Sequence, residues 1–358
     1  MLFRSLIENL LAYGTPVDYS PQKLSLPEKI PAERHTIDTP ATALVGRAEQ
    51  IEDIGIRIME SRLVTLIGMG GVGKTRLAIE VGLKLASNYL CGVVFVDFSD
   101  FLSSSAEEEL SNALLESLKI TALSGESPHE TLVRNLQNQE ILIVLDNCEH
   151  LLNSVAKLCK FLLLNTNYLR ILATSRERIR IVEERSFVVK ELSTPLSGGV
   201  YDIETLRESE AISLLVQRMQ ANRPDFDLNN ENANDLLEIC QKLEGNALGI
   251  ELAAGMLAEI EPSALVKGLQ ESFWTLDDQG DRTRPERYNS LRAMIAWSYR
   301  LLTPDEASLF QELSLLSAGW SYEAALAIRT PISNELSLMS LLTSLLTKSL
   351  ILTVSTWT

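Results

Sequence analysis

The residues with the clearest chemical potential lie in one run, Gly68-Met69-Gly70-Gly71-Val72-Gly73-Lys74-Thr75. The run satisfies G-x-x-x-x-G-K-S/T, a pattern whose glycines let consecutive backbone N–H groups turn inward around phosphate oxygens. In that reading Gly68, Gly70, Gly71, Val72 and Gly73 supply backbone. Lys74 reaches the β and γ phosphates of a bound nucleotide, and the Thr75 hydroxyl ligates Mg2+. Arg76 follows in the first turn of a helix, whose N-terminal partial charge favours the same anion. The bland alternative is a glycine-rich turn. An apolar run before the motif and a helical pattern after it favour the phosphate loop.

A loop of this kind needs a carboxylate at the end of a second buried strand, to hold Mg2+ through water. Asp146 supplies it after Ile141-Leu142-Ile143-Val144-Leu145, and it could also serve as the N-cap of a following helix. Where many such ATPases carry an acid directly afterwards, this chain has Asn147. Glu149 is then the nearest carboxylate able to orient an attacking water, or it is a first-turn helix acid. Slow hydrolysis is the expectation. Arg176, in Thr174-Ser175-Arg176 at the end of the next strand, is expected to reach the γ-phosphate. Arg178, Arg180 and Arg185 alternate with Glu177, Glu183 and Glu184 and read as solvated surface. Cys148-Glu149-His150 does not read as a nucleophilic set, because adjacent helical residues point in different directions.

The elements that must carry these residues are legible as short apolar runs at 63–67, 93–96, 141–145, 170–174 and 187–189. They are rich in β-branched residues and do not alternate, as strands buried on both faces should be. Helical patterns over 75–86, 106–118 and 149–164 separate them, which predicts an α/β P-loop NTPase with a parallel sheet and helices on both faces. After residue 205 the strand signals stop. Helices are expected over 209–221, 231–243, 247–258, 290–302, 304–316, 321–329 and 335–348. Pro304-Asp305-Glu306 is a good helix start. Five of the twelve prolines fall in the first 40 residues, so 1–41 reads as a linker with a short helix at 2–12. All four tryptophans fall after residue 273, which suggests a different core there.

The 358 residues suit two or three domains, and 46% hydrophobic content excludes a wholly disordered chain. No stretch approaches the ~18 apolar residues that span a bilayer, and Arg4, Glu8 and Asn9 break any signal-peptide reading of the start. Four scattered cysteines point to a reducing cytoplasm and no structural zinc. A net charge of −16 argues against general nucleic-acid binding.

Together these segments resemble the STAND class of signal-transduction ATPases, specifically the NB-ARC-like part of bacterial transcriptional regulators, over about residues 42–358. Ala43-Leu44-Val45-Gly46-Arg47-Ala48-Glu49 looks like the hhGRxxE segment that lies against adenine in that family, so Val45, Gly46 and Arg47 join the binding set by resemblance. LIVLDNCEHL (142–151) and ILATSRERI (171–179) resemble its Walker B and sensor-1 segments. LRESEAISLL (206–215), RPDFDL (223–228) and ICQKLEGNALGIELAA (239–254) are similar to its helical domain, and 290–326 to the start of its winged helix. The resemblance implies an NTPase core at 42–198, a helical domain at 199–281 and an incomplete winged helix at 282–358. It also implies ATP and ADP as ligands, resting ADP, exchange for ATP, domain rearrangement and self-oligomerisation. One departure is Gly245-Asn246-Ala247-Leu248 where the family has Gly-Leu-Pro-Leu; Leu248 is carried over as a nucleotide contact. The other is that the chain stops where a wing should begin, so a fragment of a larger regulator is expected, with sensor and effector elsewhere.

Two other readings stay open. Arg282, Arg284, Arg287, Arg292 and Arg300 could serve a DNA-associated initiator-type ATPase, although a solvated helix face explains them as well. Asn147 keeps open a scaffold that binds nucleotide without hydrolysing it.

Overall fold

The computed structural model describes residues 37, 39–196, 199, 201–277, 299, 302–316, 320–328, 335–347 and 350–351. Five strands, β1 (Leu63–Ile67), β2 (Val93–Asp97), β3 (Leu142–Asp146), β4 (Arg170–Ser175) and β5 (Glu184–Val188), form one sheet in the order β2-β3-β4-β1-β5. Every pair is parallel, with Leu63 opposite both Ile171 and Glu184, and Leu142 opposite both Val93 and Arg170. The apolar runs are continuous because both faces are covered. Ile143 and Leu145 pack on one side with α3 (Glu107–Ser117), α4 (Pro128–Leu136) and α5 (Leu152–Asn165). Leu142 and Val144 pack on the other with α1 (Ala48–Glu60) and α2 (Lys74–Leu85). This is the α/β arrangement that the sequence pattern leads one to expect.

Strand order is what assembles the site. Because β4 lies between β1 and β3, the segment after β4 emerges between the glycine loop and Asp146. The register puts Ile67 level with Ser175 and Asp97 level with Asp146, so four strand ends share one edge. In open parallel sheets this carboxyl edge is where ligands bind.

Several boundaries differ from those expected. Residues 148–150 form a 3-10 turn, and α5 begins only at Leu152, because Asn147 takes a left-handed conformation that interrupts the chain after β3. Strand β5 starts at Glu184, and its edge position lets it carry charged, partly exposed residues. Helices α1 and α4 carry no expectation from periodicity, yet α4 has a full capping box from Ser127 and Glu130 with Pro128 at its first position.

A second, all-helical body follows, from α6 (Ile203–Glu208), α7 (Glu210–Asn222), α8 (Ala233–Lys242), α9 (Ala247–Met256) and α10 (Pro262–Asp277). Its core includes Leu215, Leu236, Ile239 and Ile250; α6 and α10 are again unforeseen. Beyond it, α11 (Pro304–Leu313), α12 (Tyr322–Ile328) and α13 (Glu335–Thr347) enclose a separate cluster around Leu309 and Leu345, with Trp320 against it. Thr303 and Glu306 cap α11 reciprocally, as the Pro304-Asp305-Glu306 start implies. These helices alone do not establish a winged helix. The expected helix at 2–12 lies outside the described residues, as do the helix at 290–302, except for Tyr299 and Leu302, and the arginines from Arg282 to Arg300.

Candidate functional site

The glycine loop joins β1 to α2 through backbone that only glycine adopts without strain. Gly71 and Gly73 have φ of 78° and 92°, and Gly73 is the N-cap of α2. Lys74 is almost wholly buried, and its Nζ donates to the carbonyls of Gly68 and Met69, each at 3.0 Å. Burial pulls the ammonium's pKa down, opposed mainly by the Glu149 carboxylate.

Asp146 is 1% exposed and accepts from Thr75 Oγ1 at 2.9 and 3.0 Å on its two oxygens. Thr174 Oγ1 donates to Oδ1 at 2.5 Å, and the Asn147 N–H donates to Thr174 Oγ1 at 3.1 Å. The Asn147 amide also donates to Asp97 at 3.1 Å and to Asp146 at 3.3 Å. Desolvation raises the Asp146 pKa, and the two threonine hydroxyls oppose the rise. Asp146 therefore caps no helix: the residue before α5 is Leu151, and it makes no side-chain cap bond. The Thr75 hydroxyl and the Asp146 carboxylate are hard oxygen donors in contact, a pair suited to Mg2+ with water and phosphate filling the other positions. The residues present fit that ion.

Glu149 and Arg176, far apart in sequence, meet at the mouth of the site. Arg176 Nε donates to Glu149 Oε1 at 3.0 Å, while Glu149 Oε2 is buried without a hydrogen-bond partner. The Arg176 guanidinium is more than half exposed and lies 3.8 Å from where a Cβ on Gly70 would stand. Arg180, by contrast, pairs loosely with Glu177 at the surface.

A cavity of about 500 Å³ runs from Lys74, Thr75, Glu149 and Arg176 to an apolar end at Leu44, Val45, Leu192, Leu214 and Leu248. At that end Gly46 and Arg47 are both left-handed, with φ of 64° and 63°. Arg47 is 4% exposed; its Nη2 donates to the carbonyls of Val72 at 2.5 Å and Lys190 at 3.5 Å, while Nη1 has no hydrogen-bond partner. Burial lowers its pKa, opposed by Glu210 and Glu191. A buried cation with one donor unused beside Gly73 can receive an acceptor from a ligand. Arg76 also lines the cavity, with its guanidinium on the Thr42 carbonyl and on Glu80 at 2.7 Å.

The helical body closes the cavity from above. The Leu248 N–H donates to Gly71 O at 3.0 Å, and Asn246 Nδ2 donates to Gly70 O at 3.2 Å. Asn246 Oδ1 also accepts from the Gly249 N–H at 3.1 Å and so caps α9. Ala247 occupies the first position of α9, the slot where proline is favoured, and the Asn246 cap starts the helix without one. On the rim Arg218 pairs with Glu251 at 2.9 Å and reaches Thr42 at 3.3 Å. Asp97, Arg218, Asn246 and Glu251 were not legible as site residues, because each becomes one only by folding. For Thr174 a signal existed in its place two residues before Arg176, at the end of the same strand.

A parallel sheet with a glycine loop after one strand, a buried aspartate after another and a third strand between them defines a P-loop NTPase fold. The chain belongs to the NB-ARC family: residues 47–220 match the NB-ARC domain. An uncharacterized protein of Mycobacterium tuberculosis is 32% identical over 301 residues, which is 84% of this chain and 72% of that protein. A protein of the same organism named as an HTH-type transcriptional regulator is 35% identical over 295 residues, 82% of this chain but 31% of its own length. Among solved structures, a STAND protein with a tetratricopeptide repeat sensor from Pyrococcus horikoshii superposes with a TM-score of 0.49 at 17% identity, covering 88% of this chain and 40% of that one. Among the described residues no helix is long and apolar enough to cross a membrane.

Proposed function

We propose that this chain is an ATP- and ADP-binding regulatory switch that hydrolyses ATP slowly with Mg2+ and couples nucleotide state to the placement of its helical domain. One observation carries the reading. The helical body hydrogen-bonds the glycine loop's own backbone, through Asn246 on Gly70 and Leu248 on Gly71. A phosphate entering that loop therefore acts on the domain contact as well as on Lys74. A ligand shifts such an equilibrium only by its differential affinity for the two arrangements.

In this reading Mg2+ would be held by Thr75 and Asp146 and would neutralise phosphate charge. Thr174 and Asn147 fix the aspartate, Lys74 moves from the loop carbonyls to phosphate, and Arg176 reads the γ position. Glu149 would orient water, yet one of its oxygens is already committed to Arg176, which agrees with slow turnover. The same commitment favours, as a second reading, a binder that does not hydrolyse. Self-association in the ATP state and sensor or effector modules on other chain segments belong to the proposal, as does a cytoplasmic location. The four buried free cysteines suit a reducing compartment.

The test is the nucleotide released on denaturing freshly purified protein, together with its turnover. Bound ADP and turnover well below the ~10 s⁻¹ enzyme median support the switch. Fast, DNA-stimulated hydrolysis sinks it, and ATP binding with no hydrolysis at all selects the second reading.

A further inference from the structure

Glu210, the first residue of α7, forms no hydrogen bond with residues 68–75, yet it holds two of the chain segments that wall the apolar end of the cavity. Its Oε1 accepts from the Arg47 N–H at 2.7 Å across 163 residues of sequence, and its Oε2 accepts from the Ser193 N–H at 3.0 Å. The capture of Ser193 is reciprocal. The Ala211 N–H donates to Ser193 O at 3.2 Å, and Ser209 Oγ donates to the same carbonyl at 2.9 Å.

The approach of this carboxylate depends on Gly46. A Cβ there would lie 2.3 Å from Glu210 Oε1, closer than any side chain tolerates. Arg47 beside it is left-handed, a conformation that strains a non-glycine residue and needs support from its surroundings. A charge-assisted bond to its own N–H supplies that support. The turn in turn fixes two groups that line the cavity: Val45, and the Arg47 guanidinium with its unused Nη1.

We infer that Glu210 is a positioning residue for nucleoside recognition. Its carboxylate holds the Val45–Arg47 turn in the shape that receives the base and ribose, so affinity for that half of the ligand requires the helical domain to be docked. This deepens the proposed function and rests on it. The groups expected at phosphate are a separate set, Lys74, Thr75 and the loop amides, and Glu210 hydrogen-bonds none of them.

The full chain and its E210A and E210Q variants are titrated calorimetrically with ADP and, separately, with inorganic pyrophosphate, both with Mg2+. E210A is expected to lose about tenfold in ADP affinity, the scale of one charge-assisted hydrogen bond. E210Q, which keeps one acceptor oxygen, loses less. Pyrophosphate affinity stays within about twofold in both, as for sites that share no partner. A parallel fall for both ligands means a general structural role and overturns the inference, as does unchanged ADP affinity in both variants. Should E210A fail to fold, the ratio of the two ligands in E210Q decides. A wild-type chain that binds neither ligand overturns the nucleotide reading and this role together; a wild type that binds both, with the ratio unmoved by the variants, overturns the role of Glu210 alone.

Discussion

The two ends of the cavity are built in opposite ways. The loop end is local: eight consecutive residues make a turn between a buried strand and a helix, and Asp146 joins them through the Thr75 hydroxyl while Thr174 holds the aspartate from β4. The apolar end is composite. Val45 and Arg47 precede the sheet, Leu192 follows it, and Leu214, Arg218, Leu248 and Glu251 come from the helical body, whose core takes in Leu192 and Leu214 and packs against Val45. The loop end is thus held by the sheet, whereas the apolar end is completed by the helical body. Perturbations at the first should act on phosphate binding and chemistry, and those at the second on affinity coupled to domain contact.

The largest expected effect is from Lys74→Ala, which removes the buried cation and should weaken ADP binding by roughly a hundredfold or more in calorimetry. Near-normal affinity would mean that the apolar end dominates, reversing the comparison. Asp146→Asn comes next. Turnover with Mg2+ should fall by about a hundredfold or more, with ADP affinity in the absence of Mg2+ changed only a few-fold. A loss of metal-free ADP affinity as large as that of turnover would contradict the assignment of Asp146 to the ion.

At the other end, Asn246→Ala removes the α9 cap and the bond to Gly70, costing about 1 kcal/mol of stability in denaturant unfolding. If the ends are coupled as drawn, added ADP should restore less stability to this variant than to the wild type. Equal restoration would separate the helical domain from the nucleotide.

The smallest effect serves as a control far from either end. Glu126 accepts from Arg134 and Thr131, which hold its pKa down at about 2 against an ordinary 4.5. A depressed carboxylate stabilises above its unfolded pKa, and that contribution is lost as pH falls through the folded one. Glu126→Gln should therefore lower the melting temperature slightly at pH 7, with the difference fading between pH 4.5 and 2 and nucleotide binding unmoved. A difference that grew on acidification would contradict the pairing.

Much of this molecule was readable before folding, for identifiable reasons. A strand buried on both faces must be apolar throughout, so 63–67 and 141–145 announce themselves, and a phosphate loop needs glycines in sequence. Helix α4 was readable too, since Ser127-Pro128-His129-Glu130 is a complete N-terminal signal, but apolar periodicity alone passes over it. Helix α1 was harder, because its N-cap Arg47 is left-handed and makes no side-chain cap bond.

By itself the sequence determined the loop, the buried aspartate, the parallel sheet and the change to an all-helical body after residue 205. These depend on local backbone conformation and on burial period, which neighbouring residues encode. Only the tertiary structure decided that Glu149 is tied to Arg176, that Asn246 and Leu248 bond the glycine loop, and that Glu210 shapes the turn at Gly46. Those contacts join segments up to 177 residues apart (248 − 71, for Leu248 on Gly71), and their geometry follows from how the helical body packs on the sheet, which no stretch of sequence specifies alone.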